Sequence, residues 1–209
     1  MTEFMIMGER NSGTHFLQHA ITENFGKKYR FNHLKHFWYD QKLPSDIPTI
    51  MIVRHPIDWI DSMWKRKHHV PPKNRQSIYS YIRNEWYSEE RGVEIMGDRH
   101  LQTGRRYRDI FEMRQNKIDF LLNRLNDHNN MLIRYEDLRD DYEKTLQRIA
   151  DFFGWSFLYR DIKPIRKYKG TYNELYKKKD IELKDDVIQE IKRKVDVDQE
   201  LRIGYLILF

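Results

Sequence analysis

Short, wholly apolar runs alternate with longer amphipathic ones along this chain. Phe4-Met5-Ile6-Met7 is an unbroken apolar stretch closed by Gly8, as expected of a strand buried on both faces. Residues 14–25 place Phe16, Leu17, Ala20, Ile21 and Phe25 on one helical face, and Gly26 follows as a stop. The pattern then recurs. Thr49–Val53 predicts a second buried strand, too short and too β-branched for a helix, and Pro56 opens a helix carrying Ile57, Ile60, Met63 and Trp64. Met131–Tyr135 predicts a third strand, followed by a helix over 139–153 that stops at Gly154. Three strand-then-helix units predict an α/β fold, a three-layer α/β/α arrangement around a central parallel sheet. Ligands of such sheets lie beyond the carboxyl ends of the strands, so the loops after all three strands should face one crevice.

The remaining chain fits around this frame. Residues 76–90 and 105–127 read as helices, the latter carrying Ile110, Phe111, Met113, Ile118, Leu121, Leu122 and Leu125. Lys65–Asn74, with Pro71-Pro72, reads as an exposed loop, and 181–196 as an amphipathic charged helix before Gly204-Tyr205-Leu206. No repeat, low-complexity tract or linker interrupts the chain, so residues 1–209 read as a single domain.

Composition narrows the function classes. The 209 residues are 39% hydrophobic and 33% charged, and no run approaches the roughly 18–20 apolar residues that span a bilayer. Met1-Thr2-Glu3-Phe4 leads straight into a strand, which leaves no room for a signal peptide. There is no cysteine, which excludes disulfides, thiolate metal sites and cysteine nucleophiles. These features together predict a cytoplasmic protein. The net charge of +6 should attract anions, yet 38 basic residues are interleaved with 32 acids and form no single stripe. A nucleic-acid partner is therefore disfavoured.

Gly8-Glu9-Arg10-Asn11-Ser12-Gly13-Thr14 joins the first strand to the first helix. Two glycines let successive N–H groups turn inward, and the helix end adds roughly half a positive charge. The loop reads as an anion nest with Ser12 and Thr14 as hydroxyl donors, or as an ordinary turn in which Ser12 caps the helix. No lysine follows Gly13, so the loop is not the G-x-x-x-x-G-K-[ST] of ATP-binding P-loops. At the end of the second strand, Arg54 is followed eight residues later by Ser62. A guanidinium fork plus a hydroxyl suits a terminal phosphate; the alternative is a structural ion pair of Arg54 with Asp58 or Asp61.

Arg10-Asn11-Ser12-Gly13-Thr14-His15-Phe16 resembles the 5′-phosphosulfate loop of PAPS-dependent sulfotransferases (PAPS is 3′-phosphoadenosine 5′-phosphosulfate), in which Lys or Arg precedes S-G-T. Arg54, Pro56, Asp58 and Ser62 match that family's 3′-phosphate motif R-[NH]-P-x-D-x-x-x-S. Arg134-Tyr135-Glu136-Asp137-Leu138 is similar to its Y-E-D strand end, and Glu200–Tyr205 to its terminal E-x-L-G-Y element. Arg166–Gly170 corresponds loosely to its late R-K-G loop.

The resemblance implies a P-loop-like sulfotransferase fold, PAPS as donor, no metal, and transfer of sulfonate to an acceptor hydroxyl. It implies nucleotide contacts from Arg10, Asn11, Ser12, Gly13, Thr14, His15, Arg54 and Ser62, with Tyr135 against the adenine. The family's loop cation falls on Asn11, so Arg10 or Lys35 is left to neutralise the leaving group, with Asn11 donating a hydrogen bond. Cytosolic members take their base from a Lys-x-His segment before the second strand. Lys35-His36 resembles a contracted form, making His36 the first choice and His33 the second. His15 either reaches the sulfonate or simply lies on the first helix. His68-His69 sit in the 65–74 loop, and no HExxH pattern supports a metal there. Lys177–Lys179 reads as a solvated face. The acceptor is expected to be a carbohydrate or small molecule, because the basic loops Lys65–Lys73 and Arg99–Arg108 would tolerate polar or anionic partners. The alternatives are a metal-dependent P-loop kinase and a non-enzymatic nucleic-acid or anion-binding module.

Overall fold

The computed structural model describes residues 3–30, 35 and 36, 44, 46–165 and 180–209. Its elements run β1 (Glu3–Gly8), α1 (Thr14–Phe25), β2 (Lys28–Tyr29), β3 (Thr49–Val53), α2 (Pro56–Lys65), α3 (Ile78–Arg83), β4 (Ser88–Glu90) and β5 (Val93–Ile95). They continue as α4 (Ile110–Arg124), β6 (Asn130–Arg134), α5 (Tyr135–Asp140), α6 (Tyr142–Phe153), α7 (Asp185–Lys194) and α8 (Val197–Arg202). The chain divides into two compact units. One comprises Met1–Lys35, Pro44–Arg54 and Leu125–Asp180, and the other His36–Leu43, His55–Arg124 and Ile181–Phe209.

The first unit holds a four-stranded parallel sheet in the order β2-β1-β3-β6. Phe4, Ile6, Ile50, Ile52, Met131 and Ile133 alternate along three strands and pack with Phe16, Leu17, Ala20, Ile21 and Phe25 of α1 and Leu146, Ile149 and Ala150 of α6. Met5, Met7, Met51 and Val53, on the opposite face, are equally buried. That two-sided burial is why these strands read as continuous apolar runs. The expected α/β fold with a central parallel sheet is thus present, and its three principal strands lie within a residue of their predicted bounds.

Asn24 ties the chain beyond α6 back to α1. Its Oδ1 accepts from the Lys163 amide at 2.7 Å, and its Nδ2 lies 3.0 Å from the Ala20 carbonyl and 3.1 Å from both the Lys163 carbonyl and the Tyr142 hydroxyl. Asn24→Ala strips several polar groups of their partner at once and should cost about 2 kcal/mol, read as a shift of the urea midpoint.

In the second unit several expectations are corrected. The helix expected over 76–90 is only α3, because Ser77 and Ser80 form a capping box at its start and the chain turns extended at Asn84. Trp86 then bridges Tyr107, and β4 and β5 form a hairpin whose turn residues Arg91 and Gly92 sit at φ 52° and 80°. The helix expected over 105–127 starts at Ile110, where the Asp109 carboxylate accepts from the Glu112 amide at 2.9 Å. The 65–74 loop is not exposed throughout: Val70, Pro71 and Asn74 are buried. Several cations of the basic loops are held in ion pairs. Arg99 and Arg106 pair with Glu94, Arg106 also with Glu85, Arg105 with Glu112, and Lys65 with Asp61 and Glu182. The hydrogen bond from Arg106 holds the Glu85 carboxyl below its ordinary pKa, and Arg105 does the same for Glu112.

Two ionic clusters anchor this unit. Arg114 meets Glu200 through two hydrogen bonds of 2.5 and 2.8 Å, with its guanidinium also over Trp59, and Lys117 meets Asp98, which accepts from Ser88. All four charged residues are buried. In the first unit, the helix expected over 139–153 is two helices, α5 and α6, separated at Asp141.

Candidate functional site

The register of the parallel strands determines what meets at their carboxyl ends. Gly8 pairs with Ile52, and Val53 with Arg134, so Arg54 and Tyr135 emerge side by side one residue further on. The Gly8 amide donates to the Lys35 carbonyl at 2.9 Å, which brings Lys35 alongside the mouth of β1.

Both loop glycines are required by contact. A Cβ on Gly8 would lie 2.6 Å from the Ile52 carbonyl oxygen and 2.7 Å from Ser12 Oγ. Gly13 sits at φ 101°, and a Cβ there would lie 2.5 Å from Cδ2 of Tyr135. Asn11 is also left-handed, at φ 60°. Asparagine tolerates that conformation better than lysine, which gives a local reason for this residue where the family pattern has a cation. The backbone amide and hydroxyl of Ser12 both donate to the Glu9 carbonyl, at 3.1 and 2.7 Å. Ser12 is therefore not the helix cap. Gly13 holds that place with no side chain to cap the helix, and the first turn contains no acid. A helix start of this kind, above a buried strand, favours an anion.

Three further groups attach to the loop. Lys35, 8% exposed, places its Nζ 3.2 Å from Nε2 of His15, the second residue of α1. Arg54 donates from Nη1 to the Asn11 carbonyl at 3.1 Å, and its guanidinium carbon stands 4.5 Å from the Tyr135 ring centre. Tyr135, 2% exposed, thus lies between Gly13 and Arg54.

The first unit accordingly assembles Arg10, Asn11, Ser12, Gly13, Thr14, His15, Lys35, Arg54 and Tyr135. His36 and Ser62 belong to the second unit, and both are half-buried. There Asp61 is engaged by Lys65 at 2.7 Å and accepts from the Glu182 amide at 3.1 Å, and Asp58 lies 3.7 Å from His55. His33, Arg166–Gly170 and Lys177–Lys179 lie outside the described residues. Sequence reasoning missed the packing of Gly13 on Tyr135 and the hold of Arg54 on Asn11. The strand register would have placed Arg54 beside Tyr135, but no periodicity in the sequence reveals the register.

Among the described residues no cluster of three or more His, Asp or Glu is placed to hold a metal, and no helix is long and apolar enough to cross a membrane. The loop amides, the start of α1, Lys35 and Arg54 together can bind an anion that carries more than one charge.

The family model described as the sulfotransferase domain matches residues 32–204, which includes Lys35, His36, Arg54, Ser62 and Tyr135 and begins after the Gly8–Thr14 loop. No curated protein matches the chain. Among solved structures, mouse sulfotransferase SULT7A1 complexed with PAP shares 18% identity and a TM-score of 0.39, over 95% of this chain and 65% of that one. The chain thus spans 65% of the length of that sulfotransferase.

Proposed function

The chain belongs to the sulfotransferase-domain family, and on that premise we propose that it moves a sulfonate group from PAPS to an acceptor hydroxyl. The products are PAP and a sulfate ester. One observation carries this reading: Lys35 and Arg54, from separate segments, both converge on the glycine loop that follows β1. Two cations gathered at one loop suit a donor that carries several negative charges. The shape of the loop fits such a group as well, since Gly8 and Gly13 leave no room for side chains where its backbone turns.

When bound, PAPS supplies an activated sulfonate whose transfer breaks its bond to the bridging phosphate oxygen and forms one to the acceptor oxygen. The residues of the chain then have distinct tasks. The loop amides of Asn11, Gly13 and Thr14 and the start of α1 hold the 5′ end. Lys35 offsets negative charge growing on the leaving phosphate, and His15 steadies its amine. Arg54 and Ser62 take the 3′-phosphate, and His36 accepts the proton of the acceptor hydroxyl. Arg10 adds a further cation to the nucleotide-binding loop, and Tyr135, packed against Gly13, is the residue assigned to the adenine. A carbohydrate or small molecule remains the acceptor class. Residues 1–209 act as one sulfotransferase-like domain.

Lys35→Ala tests the central assignment. Loss of one charge-assisted contact in the reaction should lower transfer turnover by tens of fold while PAP affinity changes little. Arg10→Ala should leave turnover close to the wild-type value. Normal turnover in Lys35→Ala, with loss in Arg10→Ala, would move the leaving-group cation to Arg10.

A further inference from the structure

We propose that Arg54 and Tyr135 form a brace that fixes the shape of the Gly8–Thr14 loop. Arg54 would then support recognition of a 5′-phosphate that it does not itself read. This inference rests on the nucleotide reading above and adds a second task to Arg54.

Three observations lead to it. The first is placement: Val53 and Arg134 are register partners, so Arg54 and Tyr135 leave the ends of two buried strands as neighbours. The second is contact. The Arg54 guanidinium faces the Tyr135 ring at 4.5 Å and donates 3.1 Å to the Asn11 carbonyl, while the ring edge abuts Gly13. One guanidinium and one ring thus contact both left-handed residues of the loop, Asn11 and Gly13. The third is conformation. Asn11 at φ 60° is held in a region that costs free energy for any residue with a side chain, and such a conformation persists only where its surroundings enforce it. The hydrogen bond from Arg54 acts on that same residue.

A brace makes the two ends of the site energetically dependent. An arginine that served only the 3′-phosphate would leave the loop unaffected when removed. Removing a bracing arginine releases the Asn11 carbonyl and loosens the amides that face the 5′ end. Cation–π and charge-assisted hydrogen-bond contributions together correspond to about tenfold or more in a local equilibrium.

The test has a ligand-free arm and a binding arm. In the ligand-free protein, hydrogen exchange of the loop amides should speed up about tenfold or more in Arg54→Ala and in Tyr135→Leu. Tyr135→Phe keeps the ring and should stay closer to the wild type than Tyr135→Leu. In calorimetric titrations, Arg54→Ala should weaken AMP, which has only the 5′-phosphate, by about tenfold, and PAP by more. Unchanged loop exchange together with unchanged AMP affinity in Arg54→Ala overturns the brace, and a fall in PAP affinity alone would assign Arg54 to the 3′-phosphate only. If the wild type binds neither nucleotide while loop exchange still responds to Arg54→Ala, the brace stands and the nucleotide reading fails. Tyr135→Phe behaving like Tyr135→Leu would remove the ring from the account.

Discussion

Gly13→Ala should abolish measurable nucleotide binding, lowering PAP affinity by more than a hundredfold in a calorimetric titration. Two costs add. An alanine at φ 101° leaves the allowed regions for L-residues, which costs about 1–2 kcal/mol. Its Cβ would also stand 2.5 Å from Tyr135 Cδ2 and 3.3 Å from Ile52 Cδ1. The ring cannot simply swing aside, because it is 2% exposed and faces Arg54. Overpacking of this kind costs about 1–3 kcal/mol more. Gly13 is half-buried where the ring is fully buried, so the loop is the cheaper partner to move and should leave the shape in which its amides gather. Unfolding measured in urea should show destabilisation of about 3 kcal/mol. Wild-type PAP affinity in this variant would mean that the loop does not need the conformation described here.

Glu200→Ala should produce the largest loss of stability, about 3–5 kcal/mol. Arg114 and Glu200 are each 1% exposed and share two hydrogen bonds. Truncating the carboxylate leaves a buried guanidinium without its counter-charge, which costs far more than an exposed pair would. The joint replacement Arg114→Met with Glu200→Leu should recover much of that loss, because it removes both charges and keeps apolar volume. The urea midpoints of the two variants against the wild type decide the matter. Glu200→Ala within 1 kcal/mol of the wild type would show that the pair contributes little. On this account the glutamate of the Glu200–Tyr205 motif serves the fold of the second unit, not the chemistry.

Where one local rule dominates, the sequence already shows the outcome. β1 and β3 are apolar runs buried on both faces, β6 is an apolar edge run with Leu132 half-buried, and α1 has one apolar face and a glycine stop at Gly26, φ 62°. Arg54 and the glycine loop were legible because strand ends in α/β sheets are where ligands sit. The hairpin of β4 and β5 was not, since Glu89, Glu90 and Glu94 have little strand propensity and Arg91-Gly92 is a weak turn signal. The start of α4 depended on Tyr107, whose burial opposite Trp86 pulls 105–109 out of the helix. The ion pairs of Arg99, Arg105 and Arg106 join residues 5–21 positions apart, beyond helical spacing, so no local pattern in the sequence shows them. The brace is invisible in one dimension for the same reason. Asn11, Arg54 and Tyr135 meet only through strand register.

The most direct test of the nucleotide assignment is a paired calorimetric titration of the wild-type chain with PAP and with MgATP, in the presence and absence of EDTA for PAP. The account predicts that PAP binds tightly, that EDTA does not alter it, and that MgATP binds at least a hundredfold more weakly. Tight MgATP binding with no heat from PAP would contradict it.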